Sequence, residues 1–303
     1  VLAIRNSYHG RAFATVGVTG NRGWSASALS PVRVSYVHGG YRYRSPFAHL
    51  DDEEYIQACV DDLRDVLQTA TSGDVACMIA EPIQGVGGFT VPPDGLYAAF
   101  KEVLDEYGIL FISDEVQTGW GRTGGHYWGI QAHGVTPDLM TFAKGLGNGL
   151  AIGGVVGRAE IMDCLSANSI STFGGNPVAT AGALAVLDYV ESHDLQRNAA
   201  VQGARLLTGL QAIANDHDII GEVRGKGLMV GIELVEPGGK VPSPTLATAV
   251  LEETRARGVL VGKGGLHGNV IRLAPPMTIT TEEIDEGLAA IRDAVAAAQE
   301  VTR

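Results

Sequence analysis

The sequence predicts an α/β protein: a mainly parallel sheet covered by helices, followed by a smaller α+β domain. Three observations predict it. Continuous apolar runs at 75–80 (VACMIA), 109–113 (ILFIS) and 139–143 (LMTFA) alternate with longer segments of helical spacing. An apolar run with no polar alternation is the mark of a strand buried on both faces, and strands alternating with helices imply parallel pairing. Past residue 193 the texture changes, with two neighbouring strand candidates joined by the short turn Gly225-Lys226-Gly227. The boundary falls in 190–195, which gives a large domain over 1–193 and a small one over 194–303.

The elements follow in order. Residues 1–4 form a short apolar strand, and 75–80 a second, bounded by Gly73-Asp74 and Glu81-Pro82. Residues 96–107 have helical spacing and stop at Gly108. The runs 109–113, 139–143 and 153–156 read as strands buried on both faces. Asn176 and Pro177 open a long Ala/Leu-rich helix over 177–190, because an Asn cap and a first-turn proline suit the unpaired amides of a helix start. In the second domain, 195–213 is helical, 219–223 and 228–234 are strands, and 245–257 is helical. Short strands at 259–261 and 270–273 and a closing helix over 281–299 complete it. The charge run 51–54 reads as a solvated turn or helix start.

Composition narrows the function classes. The 303 residues include 22 Lys+Arg and 34 Asp+Glu, a net charge of −12. A protein this acidic repels nucleic-acid phosphates and anionic membranes, so neither is an expected partner. No apolar stretch approaches the roughly 20 residues of a membrane span. The three cysteines, Cys59, Cys77 and Cys164, are widely spaced and include no C-x-x-C pair. That argues against a disulfide framework and a thiolate metal site, and points to a reduced cytoplasmic setting. H-E-x-x-H and G-x-S-x-G are missing, no metal ligand set is apparent, and the P-loop-like stretches 221–226 and 258–263 have the wrong spacing. The opening run VLAIRN carries no signal-peptide pattern and reads as the middle of a domain.

Two positions carry chemistry. Asp114-Glu115 follows ILFIS directly, at the strand end where open α/β sheets bind ligands. Lys144 follows LMTFA and precedes Gly145. Desolvation at a buried strand end would lower its amine pKa and make it a nucleophile able to form a Schiff base. Each has a structural alternative when read singly: a helix cap or surface loop for the carboxylates, a snorkelling side chain for the lysine. Together they are the pair that pyridoxal phosphate chemistry needs, an amine for the aldehyde and a carboxylate for the pyridine nitrogen. His9, Trp120 and Trp128 read as structural.

The motifs at these positions resemble the class III (omega) aminotransferases, closest to the alanine–glyoxylate and 4-aminobutyrate types. The resemblance rests on NSYHGR at 6–11, AEPIQG at 80–85, ILFISDEVQTGWGRTG at 109–124, PDLMTFAKGLGNG at 137–149, STFGGNP at 171–177 and IRLAPPMTIT at 271–280. It implies the aspartate-aminotransferase-like fold (fold type I), pyridoxal 5′-phosphate as cofactor and a homodimer. It further implies amino transfer from an omega- or alpha-amino acid to a keto acid such as pyruvate, glyoxylate or 2-oxoglutarate. Lys144 matches the Schiff-base lysine and Asp114 the partner of the pyridine nitrogen. Val116 and Tyr8 match the residues on the two ring faces, and Gln117 the one near the phenolic oxygen. Thr172 matches the residue that donates to the cofactor phosphate across the dimer interface. Arg272 matches the arginine that takes the substrate α-carboxylate, Glu81 the glutamate that engages and releases an active-site arginine, and Arg11 the arginine for a distal carboxylate. Two rival functions are a class III decarboxylase or aminomutase and a truncated, inactive relative. The family's phosphate-binding Ser/Gly turn precedes the NSYHGR motif, and no such turn precedes Asn6.

Overall fold

The computed structural model describes residues 1–25 and 30–301, which divide into two compact units. The first unit comprises Val1–Ile83, Pro92–Gly121 and His126–Asp194. In chain order it contains β1 (Leu2–Ile4), α1 (Phe13–Val18), β2 (Ser35–Val37), α2 (Asp52–Thr69), β3 (Cys77–Ala80), α3 (Leu96–Glu106), β4 (Leu110–Asp114), β5 (Leu139–Phe142), β6 (Gly154–Gly157), α4 (Ala159–Met162) and α5 (Pro177–Ser192). Its strands form a six-stranded sheet in the order β2-β1-β3-β4-β5-β6. Pairing is parallel from β2 to β5, and only β6 runs antiparallel to its neighbour.

Local sequence explains the helices that pack this sheet. The 51–54 charge run is a helix start: Asp51 accepts from the Glu54 amide and the Glu54 side chain returns to the Asp51 amide, a reciprocal cap that satisfies two otherwise unpaired donors. Along α2, Tyr55, Cys59, Leu63 and Val66 recur at helical spacing and are buried. They meet Leu96, Tyr97, Phe100 and Leu104 of α3 and the strand residues Leu2, Ile4, Met78 and Phe111 in one apolar cluster. Asn176 caps α5 by accepting from the Ala179 amide, with Pro177 in the first turn.

Not every strand has the expected burial. β5 is half-buried throughout and β6 is largely exposed, because β6 is the edge strand and has no neighbour beyond it. Full burial on both faces was expected of each. The short elements α1, β2 and α4 carry no apolar period long enough to announce them.

The second unit comprises Gln84–Val91, Arg122–Gly125 and Leu195–Arg303. It contains α6 (Leu195–Asp216), β7 (Ile220–Lys226), β8 (Met229–Leu234), α7 (Pro244–Ala256), β9 (Gly262–Gly264), β10 (Val270–Leu273) and α8 (Thr281–Val301). The four strands pair antiparallel in the order β7-β8-β10-β9. β8 is buried along its whole length, and Leu206, Leu210, Ile232, Ile271, Ile291 and Val295 build the core around it. The strand expected at 259–261 is displaced to Gly262–Gly264, where Gly264 faces Val270 and Gly262 faces Arg272, while Leu260 is exposed. Hydrogen bonding to β10 decides that register, not side-chain apolarity. The loop Gln84–Val91 closes on itself through the Gln84 amide to the Thr90 carbonyl (3.1 Å) and the Thr90 hydroxyl to Gln84 Oε1 (2.8 Å). Among the described residues, no helix is long and apolar enough to cross a membrane.

Candidate active site

Parallel strands end on one edge of a sheet, and this edge collects most of the candidate residues. β1, β3, β4 and β5 are consecutive neighbours. Tyr8, His9 and Arg11 follow β1, Glu81 follows β3, Asp114 ends β4 with Val116 and Gln117 just beyond, and Lys144 follows β5. In an open α/β sheet the carboxyl ends of the strands are where ligands bind. The β4–β5 register pairs Asp114 with Thr141, and the Glu115 amide donates to the Thr141 carbonyl at 2.9 Å.

Asp114 is held from two sides. Its Oδ2 lies 2.8 Å from His9 Nδ1, and its Oδ1 accepts from the Val116 amide at 3.2 Å. The carboxylate is 6% exposed and the His9 side chain is fully buried. His9 Nε2 is also buried and has no hydrogen-bond partner among the described residues. His9 was expected to be structural; nothing in its spacing says that the loop after β1 folds onto the end of β4. Glu115 points elsewhere. Its buried carboxylate accepts from the Thr118 hydroxyl and from the Gly129 and Ile130 amides (2.9 and 2.8 Å), which ties the segment after β4 back on itself. Burial pushes its pKa up, and those donors oppose the shift.

Glu81 is 4% exposed, and its Oε1 accepts from the Tyr8 amide at 2.9 Å. The Tyr8 ring meets Trp24 edge-on at 5.6 Å. Val116 and Gln117 are half-buried. Arg11 is exposed and makes no hydrogen bond or ion pair among the described residues. Lys144 opens a single 3-10 turn, Lys144–Gly147, with a left-handed φ of 45°. Its side chain is exposed. The expected desolvation of this amine is therefore not met: the lysine leaves a half-buried strand beside the exposed edge strand. Thr172 lies on an exposed turn where the Gly174 amide donates to the Ser171 hydroxyl, and no hydrogen bond ties it to Lys144 or Asp114 among the described residues. Arg272 sits on β10 of the second unit. Its Nη1 donates to the Gly85 carbonyl at 3.0 Å and its Nη2 to the Lys263 carbonyl at 3.4 Å. The guanidinium lies 5.5 Å from the centre of the Phe89 ring.

Trp120 and Trp128, expected as structural residues, lie in one aromatic group. Trp120, Tyr127, Trp128 and Phe142 form one cluster, with the two indoles 4.5 Å apart, and it braces the end of β5 two residues before Lys144. The donor set fits pyridoxal phosphate at two of its atoms. A buried carboxylate backed by a histidine suits a protonated pyridine nitrogen, and a lysine two residues past the adjacent strand suits the aldehyde.

Comparison with known proteins identifies the family. The family model described as aminotransferase class-III matches residues 1–295. An Arabidopsis thaliana protein named alanine–glyoxylate aminotransferase 2 homolog 2, mitochondrial, is 42% identical over 94% of this chain and 59% of its own length. A 5-aminovalerate aminotransferase of Pseudomonas putida is 37% identical over 98% and 68%. An alanine/serine racemase of Pyrococcus horikoshii is 34% identical over 97% and 63%. The chain thus spans about three fifths to two thirds of the length of these relatives. A PLP-bound amine transaminase from an uncultivated Pseudomonas species superposes with a TM-score of 0.91 at 35% identity, covering 98% of this chain and 69% of that one. The fold is the α/β architecture of these PLP enzymes, fold type I.

Proposed function

The chain belongs to the class III aminotransferases, and from that premise we propose that it moves an amino group from an omega- or alpha-amino acid to an alpha-keto acid with pyridoxal 5′-phosphate. Donors of the 4-aminobutyrate, β-alanine or alanine type and acceptors such as pyruvate, glyoxylate or 2-oxoglutarate fit this reading. One observation carries it: Asp114 and Lys144 stand at the carboxyl ends of adjacent parallel strands, with Asp114 clamped by His9 and the Val116 amide.

When bound, the cofactor supplies an electron sink for the carbanion left when a substrate Cα loses its proton. The residues supply the rest. Lys144 Nζ would hold the cofactor aldehyde and, when free, would take up and give back the Cα proton of the substrate. Asp114 keeps the pyridine nitrogen protonated, and His9 Nδ1 keeps Asp114 oriented. Val116 and Tyr8 flank the ring and exclude water from it, which strengthens the hold of Asp114. Gln117 would serve the phenolic oxygen. Thr172, across the proposed dimer interface, would donate to the phosphate. Arg272 forks onto the substrate α-carboxylate, Arg11 takes a distal one, and Glu81 neutralises an arginine when the substrate lacks a carboxylate there.

The homodimer in this reading is supported by α5, whose apolar residues Val178, Leu184 and Tyr189 are exposed. Residues 1–193 act as the cofactor-binding domain and 194–303 as the small domain. The free thiols Cys59, Cys77 and Cys164 fit a reducing, cytoplasmic setting. A second reading has its own observation: relatives named as racemases share the chain at 34% and 38% identity. A racemase would need the same lysine and carboxylate, but would keep the amino group on its carbon and return the Cα proton to the opposite face.

The test is chemical. Loading with pyridoxal phosphate, reducing with borohydride and mapping peptides should place a pyridoxyl group on Lys144, and Lys144→Ala should lose both the label and amino transfer to pyruvate. Product analysis then decides between readings. An inverted amino acid with no new keto acid would replace the transaminase by a racemase, and a label on another lysine would remove Lys144 from its role.

A further inference from the structure

We propose that Arg224 is a positioning residue for the substrate-carboxylate clamp, holding in place the loop on which Arg272 is seated. The inference rests on the reading that Arg272 binds the substrate carboxylate. The guanidinium of Arg272 is seated on the loop Gln84–Val91, through the Gly85 carbonyl at 3.0 Å and the face of Phe89. That loop has no regular secondary structure beyond the Gln84–Thr90 bridge, so its shape depends on what grips it.

Arg224, on β7, grips it at Gly88. Its Nε and Nη2 both donate to the Gly88 carbonyl, at 3.1 and 2.9 Å. Its Nη1 pairs with Glu233 at 2.7 Å and also with Glu222. The Arg224 side chain is 9% exposed and that of Glu233 is wholly buried. Glu233 accepts in turn from Asn269, the residue that precedes β10. Two carboxylates cancel the charge of Arg224, so it is not itself a receptor for a substrate anion. Its Nε and Nη2 both go to one loop carbonyl, a two-pronged contact that suits a planar guanidinium. Gly88 has φ +104°, and a Cβ there would stand 3.1 Å from Arg224 Nη2, so the loop approaches the arginine without a side chain between them.

A second feature meets Arg272 from the other side. A Cβ on Gly264 of β9 would fall 2.7 Å from Arg272 Nε and 3.0 Å from its Cδ. The bare strand is therefore the channel along which the Arg272 side chain runs. Gly264 has no left-handed φ, so alanine adds no conformational strain of its own; its Cβ would press on Arg272 and would also stand 3.1 Å from the Val86 carbonyl of the same loop. The seat thus has two walls, the loop gripped by Arg224 and the side-chain-free strand.

The experiment uses the holoenzyme with Arg224→Lys, which keeps a cation beside Glu233 but loses the fork on Gly88, and with Gly264→Ala. Pyruvate binding to the pyridoxal-phosphate form is measured by calorimetry, and hydrogen exchange is followed over residues 84–91. Both variants should bind pyruvate about tenfold more weakly, and Arg224→Lys should expose the loop amides to faster exchange. KM for an amino acid donor should rise about as much with kcat little changed, while KM for 1-phenylethylamine, which has no carboxylate, stays at the wild-type value. Equal losses for both donors, or a folded Arg224→Lys protein with wild-type pyruvate affinity and loop exchange, would overturn the proposal. If Arg224→Lys does not fold, Gly264→Ala with unchanged pyruvate affinity does the same. Arg272→Lys is the control on the underlying reading: unchanged pyruvate affinity there would show that Arg272 is not the carboxylate receptor, whatever Arg224 does to the loop.

Discussion

At the scale of the residue, the proposed chemistry turns on how firmly Asp114 is held as a carboxylate facing one direction. The His9 nitrogen and the Val116 amide each occupy one of its oxygens, and each bond restricts rotation about the Cβ–Cγ axis. Asp114→Asn keeps the shape and an oxygen for His9, and removes the negative charge. Preorganised electrostatic contacts of this kind are worth about 3–4 kcal/mol in the transition state, so turnover should fall roughly 100- to 1000-fold. Thermal stability should change little by comparison. Steady-state kinetics beside a melting curve checks both, and a loss under about fivefold would mark Asp114 as a structural carboxylate. Asp114 was legible because an acid directly after a continuous apolar run stands at a strand end. His9 was not, because its partner is 105 residues away.

At the scale of the element, the sequence announced the long helices and most of the strands, because capping residues and apolar periods are local signals. α2 and α3 show how such elements are joined afterwards. Arg64 of α2 forks onto Glu106 of α3 with bonds of 2.6 and 2.7 Å, a pairing that no local pattern foretells. The guanidinium holds the Glu106 carboxyl below its ordinary value of 4.5. A carboxyl depressed in the folded state contributes its stabilisation fully above that ordinary value and loses it as pH falls through the lowered one. The Glu106→Gln variant should therefore melt below the wild type at pH 7, and the gap should close in acid below the carboxylate range. The pair is exposed, so high salt should also narrow the gap. Calorimetry at two pH values and two ionic strengths checks it. A gap unchanged by either variable would mean that the substitution acts through packing alone.

At the scale of the whole molecule, α5 and the turn before it pose a surface problem. Ile170 is 95% exposed, Phe173 81% and Val178 69%, and within α5 only Ala179, Ala183 and Val190 are buried. A helix this rich in apolar residues is ordinarily covered on more than one side, and an apolar surface of this kind marks an association site. A second copy of the chain is the cover in the proposed homodimer. The double substitution Ile170→Asp, Phe173→Asp should shift the protein from dimer to monomer in sedimentation velocity and weaken cofactor retention, since Thr172 lies between the two positions. A wild-type protein that sediments as a monomer, or a variant that remains a dimer, would place the interface elsewhere.

By itself the sequence determined the fold class, the alternation of elements and the residues proposed to bear the chemistry, because each depends on neighbours within one or two turns of chain. Apolar runs, an Asn-Pro helix start and acids or lysines just past a strand are all read over about ten residues. Tertiary structure alone decided what those residues meet. It set the strand order that brings the ends of β1, β3, β4 and β5 to one edge, left Lys144 exposed where desolvation was expected, and moved the edge strand of the second unit onto glycines. It also put the Gly85 and Gly88 carbonyls under Arg272 and Arg224, across 187 and 136 residues of chain. Contacts over such separations depend on strand order and backbone register, which arise only when the elements pack, and no period in the sequence encodes them.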